Sequence, residues 1–270
     1  MKKVEIQDNW PDSWKYCYPY DEIELYGKKT RRTLGYWYAY QNRQQATINL
    51  VKKALPKGSK ILDVAAAQGN FSLLLAEQGY HVTWNDLRED LAAYVQLKYE
   101  KGHLDFAPGN VFDLGFENHF DGVLITEIIE HVAHPDQFLA KIAKFVKPGG
   151  YIIMTTPLGN YFKNGHYPKF TEFDEPEIFE SQQFGPNSGD HIFLLHIEEP
   201  QLLAEMAQLE LVSQQVYTNF LSNGHVKTHY LLPYLPAAFV KNFEHFTNKL
   251  PQALKIKVHT NMAVLYRKPV

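Results

Sequence analysis

The spacing of hydrophobic residues changes repeatedly between residues 58 and 157. Short apolar runs, typical of buried strands, alternate there with amphipathic stretches of helical period. The apolar runs predict strands at 60–66, 81–85, 104–107, 120–126 and 151–156. The stretches between them predict helices at 70–78, 88–101 and 135–146. Strand–helix alternation with short connections predicts an α/β fold built on a doubly wound, mostly parallel sheet.

The rest of the chain follows other patterns. Residues 1–57 are predicted to form an N-terminal helical extension or cap, with a helix at 36–55. The main domain is predicted to span 58–270 and to end in strands at 209–217 and 258–267, which would add an antiparallel edge. Further helical stretches are predicted at 197–207 and 236–248. Residues 158–195 are rich in Gly, Pro, Asn and aromatic residues and are predicted to form an inserted substrate lid.

Composition narrows the class of protein. The chain has 270 residues, 45% of them hydrophobic, and a formal net charge of −3. That balance argues against nucleic acid as the partner, because phosphate-binding chains usually carry a basic excess. A single cysteine excludes an internal disulfide and a cysteine-based zinc site. No signal peptide and no membrane-spanning run is found, so the protein is predicted to be soluble and cytoplasmic. The oligomeric state stays open.

The first predicted strand leads into a turn of small residues. In a doubly wound sheet the ligand lies beyond the carboxyl ends of the strands, where this turn is located. Ala65, Ala67 and Gly69 would let the backbone approach a ligand, and Asp63 could offer a carboxylate to a cationic amine. The dinucleotide fingerprint requires glycine at 65, 67 and 70. The chain has Ala, Ala and Asn there, which excludes that type of site.

The spacing D-x-A-x-A-x-G resembles motif I of the class I S-adenosylmethionine-dependent methyltransferases, which is usually D-x-G-x-G-x-G. Later segments extend the resemblance across residues 58–157. Asp86 resembles the acid that binds the ribose hydroxyls, and Asn110 stands where the family has its adenine-binding Asp. Pro148-Gly149-Gly150 resembles the turn before strand five. The resemblance therefore implies a seven-stranded Rossmann-like methyltransferase fold.

S-adenosyl-L-methionine is the cofactor that this resemblance implies. Its binding residues are expected to be Asp63, Ala65, Ala67, Gly69, Asn70, Phe71, Asp86, Leu87, Asn110, Val111, Thr126 and Glu127. Alanine at 65 and 67 has to follow a backbone path that glycine usually takes, because a Cβ disfavours positive φ.

A metal-binding pattern follows the fourth strand. Glu127, Glu130 and His131 have the i, i+3, i+4 spacing of one helix face, which can hold a divalent cation. The segment resembles the ExxEH of two metal-using branches, the ubiquinone-pathway O-methyltransferases and the small-RNA 3′-terminal 2′-O-methyltransferases. Gly189-Asp190-His191 resembles their downstream histidine segment. The expected set is Glu127, Glu130, His131 and His191 around Mg²⁺ or Mn²⁺. Metal-free relatives carry the same pattern, so a packing or capping role stays open.

The predicted function is O-methylation of a small-molecule hydroxyl, within the ubiquinone-pathway-like group of the family. His131, His191 and Glu127 are the expected catalytic residues, because a hydroxyl acceptor must lose its proton. Two alternatives stay open: 2′-O-methylation of an RNA 3′-terminal ribose, and a non-catalytic adenosylmethionine-binding partner subunit. N- and C-methylation are not excluded.

Overall fold

A single twisted sheet organises the computed structural model, which describes residues 1–173, 175–183 and 191–270. The strand order is β3-β2-β1-β4-β5-β7-β6, and β7 runs antiparallel to both of its neighbours. The strands are β1 Lys60–Val64, β2 His81–Trp84, β3 His103–Phe106, β4 Phe120–Thr126, β5 Val146–Pro157, β6 Glu210–Asn219 and β7 His259–Arg267. The predicted doubly wound, mostly parallel sheet of seven strands is confirmed.

Helices cover both faces of this sheet. They are α1 Asp12–Glu24, α2 Leu34–Ala54, α3 Asn70–Glu77, α4 Leu91–Lys98, α5 Pro135–Phe145, α6 Glu199–Met206, α7 Ala237–Asn248 and α8 Gln252–Val258. The helices predicted from the hydrophobic spacing are present, but α4 is shorter than the expected 88–101 and begins later. The backbone N–H of Arg88 donates to the Asp86 carboxylate, which forms a turn before the helix. Helix α8 was not predicted.

Alternation along the central strands divides the core between the two faces. Leu62 belongs to the cluster that α5 and α6 cover, whereas Ile61 belongs to the cluster that α2 and α3 cover. Because parallel strands are buried on both faces, they read as continuous apolar runs. The hydrophobic pattern therefore predicted the central strands correctly. Helix α2 also packs against β5 and β6, so the N-terminal extension is joined to the sheet.

The described parts of the predicted lid pack onto the body of the domain. Leu158, Tyr161 and the 192–195 stretch are buried. Between them lie two 3-10 segments, Phe170–Glu172 and Pro176–Gln182. Asp174 and residues 184–190, which include the predicted Gly189 and Asp190, lie outside the described residues. Within the part of the chain that is described, no helix is both long enough and apolar enough to cross a lipid bilayer.

A buried polar network fixes α1 to the start of α3. Lys98 Nζ lies 2.6 Å from Asp21 Oδ2, and both side chains are fully buried. The ammonium also donates to Gln68 O and Asn70 Oδ1, which satisfies its three protons. The Tyr94 hydroxyl donates to the same Asp21 oxygen. Helix α1 is therefore held against the turn after β1 by one ion pair and its hydrogen bonds.

Lys98→Met tests this attachment. Removing one partner of a buried pair leaves the other charge uncompensated, so we expect the free energy of unfolding to fall by about 3–5 kcal/mol. Urea denaturation measures the loss. Lys101→Met, at an exposed position, is the matched control and should change stability little. Adding Asp21→Asn to the Lys98→Met chain should recover part of the loss. A loss no larger than that of the control would contradict the assignment.

Candidate active site

The turn after β1 has an unusual backbone. Ala65, Ala67 and Gly69 all have positive φ, at 50°, 47° and 71°. At Gly69 a Cβ would lie 2.8 Å from Val95 Cγ2, so the position requires glycine for space as well as for conformation. The two alanines adopt the left-handed conformation at a cost of about 1–2 kcal/mol each. The expectation that they follow a glycine path is confirmed.

This turn forms the floor of a cavity of about 440 Å³. The predicted residues that line it are Ala65, Ala67, Asn70, Phe71, Thr126 and Glu127. Helices α1 and α2 form its roof through Tyr16, Cys17, Tyr20, Glu24, Tyr36, Tyr40 and Arg43. The described residues of 158–195 do not line it. The cover over this cavity therefore comes from the N-terminal extension.

Other predicted cofactor residues lie outside this cavity. Leu87 and Asn110 line a neighbouring cavity of about 400 Å³, together with Phe112 and Phe138. Asn110 Oδ1 accepts from the Phe112 N–H and so caps a short 3-10 turn. Val111 is buried in the hydrophobic core. The predicted set is thus distributed over two cavities and the layer beneath them.

Asp63 lies below the turn and does not line the cavity. Its Oδ2 accepts a 2.5 Å hydrogen bond from the Ser72 hydroxyl. Burial raises the pKa of Asp63 to about 7, although the Ser72 hydrogen bonds oppose this. The expected contact between Asp63 and a ligand amine is therefore not supported by the geometry. Glu24 and Glu127 are the carboxylates on the cavity wall.

Asp86 supports the turn directly. Its Oδ2 accepts a 2.8 Å hydrogen bond from the Ala67 N–H, which stabilises the left-handed residue. The Arg88 side chain lies over the carboxylate, with Nε 3.0 Å from Oδ1. Asp86 is buried, whereas the Arg88 side chain is 46% exposed. Asp86 lines neither of the two cavities, so a ligand hydroxyl would reach it only with Arg88 turned into solvent.

A charged group in the roof was missed by the sequence analysis. Arg43 Nη1 lies 3.6 Å from Glu127 Oε2. Burial lowers the pKa of Arg43, but Glu127 and Glu24 more than offset it, so the pKa lies above its ordinary value. Burial raises the pKa of Glu24, while Arg43 and hydrogen bonds from Tyr36 and Asn70 oppose this. The feature of the sequence that could have indicated Arg43 is the high aromatic content of the N-terminal helices.

The helix predicted through the 127–131 segment is wrong. Glu127 has a φ of 54°, and its N–H donates to Thr155 O, so it continues the edge between β4 and β5. Only Ile129–His131 forms a 3-10 turn. Glu127 therefore does not share a helix face with Glu130 and His131. Its side chain lies at the cavity wall near Arg43.

Glu130, His131 and His191 come together without Glu127. One ligand atom from each lies within 4.8 Å of the others, and Glu127 is not part of this group among the described residues. Glu130 Oε2 accepts from the Thr156 hydroxyl, while Oε1 is buried without a hydrogen-bond partner in the described chain. Burial raises the pKa of Glu130 well above its ordinary value, and Glu127 adds to this. The cluster brings together three of the four predicted metal ligands.

The fold and the cavity beyond β1 define a Rossmann-like methyltransferase domain. Residues 36–214 match the family described as "Methyltransferase domain". The chain belongs to this family, which is that of the S-adenosylmethionine-dependent methyltransferases.

Two curated relatives share the central part of the chain. Both are named "Ubiquinone biosynthesis O-methyltransferase". The protein of Xanthomonas axonopodis pv. citri (strain 306) is 34% identical over 105 residues, which are 37% of this chain and 44% of the relative. That of Xylella fastidiosa (strain 9a5c) is 33% identical over 114 residues, which are 40% and 46%. The chain therefore spans less than half the length of these relatives.

Solved structures show the fold. An S-adenosylmethionine-dependent methyltransferase from Archaeoglobus fulgidus gives a TM-score of 0.56 at 15% identity, covering 94% of this chain and 100% of that one. The [4+2]-cyclase SpnF gives 0.55 at 16% identity, covering 86% and 82%. At such identities the likeness extends to the fold alone, and the cyclase shows that this fold carries more than one chemistry.

Ala67→Gly tests the left-handed turn. Glycine removes a strain of about 1–2 kcal/mol but adds an entropic cost of folding of about 0.5–1 kcal/mol, so we expect a net stabilisation of up to about 1.5 kcal/mol in urea unfolding. Ala66→Gly is the matched control, because Ala66 does not have positive φ. That control should lose stability. Equal losses in both variants would contradict the strain.

Proposed function

We propose that this chain is an S-adenosylmethionine-dependent methyltransferase that methylates a hydroxyl group of a small molecule. The observation that carries the proposal is the left-handed turn at Ala65, Ala67 and Gly69, which floors a cavity with a charged roof. Such a turn lets backbone groups approach a ligand at the carboxyl end of β1.

The residues of the cavity fit the charged end of the cofactor. S-adenosylmethionine has a carboxylate and an ammonium at its methionine end. The Arg43 guanidinium suits the carboxylate, and its Nε is buried without a hydrogen-bond partner among the described residues. Glu24, which also lines the cavity, suits the ammonium. Opposite charges are thus placed for both groups.

The residues also fit the adenosine end. Asp86 can bind the ribose hydroxyls once Arg88 moves into solvent. Leu87 and Asn110 line the neighbouring cavity of about 400 Å³, whose apolar wall includes Phe138. That wall suits an adenine ring, and the Asn110 amide can exchange hydrogen bonds with its edge.

The cofactor supplies an electrophilic methyl group on a sulfonium, so the protein mainly aligns the acceptor and excludes water. The aromatic residues of α1 and α2 exclude water from above. A hydroxyl acceptor must also lose its proton. Glu127 Oε1 lies at the wall, buried and without a hydrogen-bond partner among the described residues, and can accept that proton.

Two observations favour a small-molecule hydroxyl as the acceptor. The curated relatives are named as O-methyltransferases of ubiquinone biosynthesis. The net charge of −3 disfavours RNA, since binding to phosphates depends on a basic surface.

Calorimetry with S-adenosylhomocysteine tests the cofactor site. We expect binding, and Asp86→Asn should weaken it about tenfold or more, because a hydrogen bond to a charged group is worth about 1.5–3 kcal/mol. Asp105→Asn, an exposed acid on β3, is the control and should bind like the original chain. Release of S-adenosylhomocysteine from S-adenosylmethionine with a panel of hydroxy acceptors then tests turnover. Absence of binding would overturn the proposal, and binding without turnover would favour the partner-subunit alternative.

A divalent cation at Glu130, His131 and His191 is a second element of the proposal. The buried, unpartnered Glu130 Oε1 fits a cation ligand, because burial without a partner is costly for a carboxylate. Two imidazoles beside one carboxylate favour Mn²⁺ over Mg²⁺, which prefers oxygen ligands. Glu130, His131 and His191 do not line the cofactor cavity, so a bound cation would act on it through the electrostatic interaction of Glu130 with Glu127.

His191→Ala should keep S-adenosylhomocysteine affinity but lower turnover about a hundredfold or more, the range of a general base or metal ligand. His245→Ala, an exposed position on α7, should leave turnover unchanged. Metal content by mass spectrometry, and turnover before and after chelation with Mn²⁺ added back, separate the two roles. Full turnover after exhaustive chelation would overturn the metal, and unchanged turnover of His191→Ala would remove His191 from the mechanism.

A further inference from the structure

A second cavity of about 360 Å³ adjoins the proposed cofactor cavity. The two share Tyr36, Tyr40, Arg43 and Glu127 as walls. The residues that line only the second cavity are Arg32, Ala39, Tyr217, Asn223, His225 and Asn261. They come from α2, from the region before it, and from β6, β7 and the connection between them. A molecule in this second cavity would lie against the same Glu127 and Arg43 that face the cofactor cavity.

Positive charge prevails in the second cavity. Arg32 and Arg43 oppose a single carboxylate, Glu127. Arg43 is paired with Glu127, whereas Arg32 is exposed and has no ion pair within the described residues. Burial lowers the pKa of His225, and Lys163 adds to this, so His225 is neutral near pH 7. One guanidinium charge therefore remains for a ligand.

Two buried phenols line the same space. Tyr40 Oη and Tyr217 Oη make no hydrogen bond of ordinary length among the described residues, although the Gln44 and Thr155 side chains lie beside them. Tyr40 is 2% exposed and Tyr217 is 7% exposed. Burial raises the pKa of both phenols, so they stay protonated and can donate. Unsatisfied buried donors are costly in a folded protein and commonly mark a ligand site.

We propose that this cavity binds the methyl acceptor, and that the acceptor is a small hydroxylated molecule with a carboxylate group. The inference rests on the proposed methyltransferase function and deepens it. The carboxylate would lie toward Arg32 and the phenol donors, and the hydroxyl toward Glu127. A single excess guanidinium with neutral donors suits a monoanion. The volume is at the small end for ligand sites, about 300–1,000 Å³, and suits one ring.

The proposed step transfers the methyl group to the acceptor oxygen and the acceptor proton to Glu127. The acceptor oxygen forms a bond to the methyl carbon as the carbon–sulfur bond breaks and leaves its electron pair on sulfur. The sulfonium becomes a neutral thioether, and the hydroxyl proton passes to Glu127. The carboxylate of the acceptor stays ionised and takes no part in bond making, so it serves recognition only.

Matched acid and amide probes test this class. The pairs are benzoate with benzamide, 4-hydroxybenzoate with 4-hydroxybenzamide, and 3-phenylpropionate with 3-phenylpropanamide, measured by calorimetry with S-adenosylhomocysteine present. We expect at least one acid to bind about tenfold or more tightly than its amide, because the members of a pair differ mainly in charge. Arg32→Gln should remove most of this preference, and Tyr217→Phe should weaken the acid about threefold or more.

Arg31→Gln is the matched control, since Arg31 is the adjacent exposed arginine and does not line the cavity. It should keep the preference for the acid. Binding of S-adenosylhomocysteine without any acid preference in the original chain would overturn this inference and leave the proposed function intact. A preference unchanged in both Arg32→Gln and Tyr217→Phe would also overturn it. Failure of S-adenosylhomocysteine to bind would instead count against the proposed function.

Discussion

The buried ion pair between Lys98 and Asp21 is the interaction on which the site depends. It joins α4 to α1 in the interior, and Asn70 adds hydrogen bonds to Asp21 and Glu24. Helix α1 also packs Cys17 and Tyr18 into a hydrophobic cluster with Trp84, and the ion pair fixes the position of the helix within that packing. The pair places carboxylates and aromatic rings above a backbone turn that has no charge of its own. The residues that hold the N-terminal extension in place therefore also determine which side chains face the cavity.

Sequence patterns predicted the sheet well, because β1, β4 and β5 are buried on both faces and leave continuous apolar runs. The same patterns misplaced the ends of elements where a single residue leaves the regular backbone conformation. Ala65 ends β1 earlier than expected, since its positive φ turns the chain. Glu127 does the same after β4, and this broke the expected helix. A local spacing rule assumes regular geometry, so it cannot anticipate a left-handed residue that tertiary contacts hold in place.

The prediction of the site was likewise correct only where regular elements place the residues. Residues carried by the α/β pattern reached the cavity, as Phe71 and Thr126 show. Arg43 and Glu24 were missed, because their place in the roof depends on how α1 and α2 dock and on no local motif. Asp63 has the expected position in sequence but is covered by Ser72. A motif thus fixes where a residue lies along the chain, while packing decides what it touches.

The shared wall of the two cavities couples their occupants. Arg43 and Glu127 form an ion pair that both cavities contact. A carboxylate that engages Arg43 from one side weakens its hold on Glu127, and this changes the charge facing the other side. The two ligands are then linked thermodynamically, and each changes the affinity of the other by the same factor. This pair of side chains would couple the occupancy of the two cavities without movement of any domain.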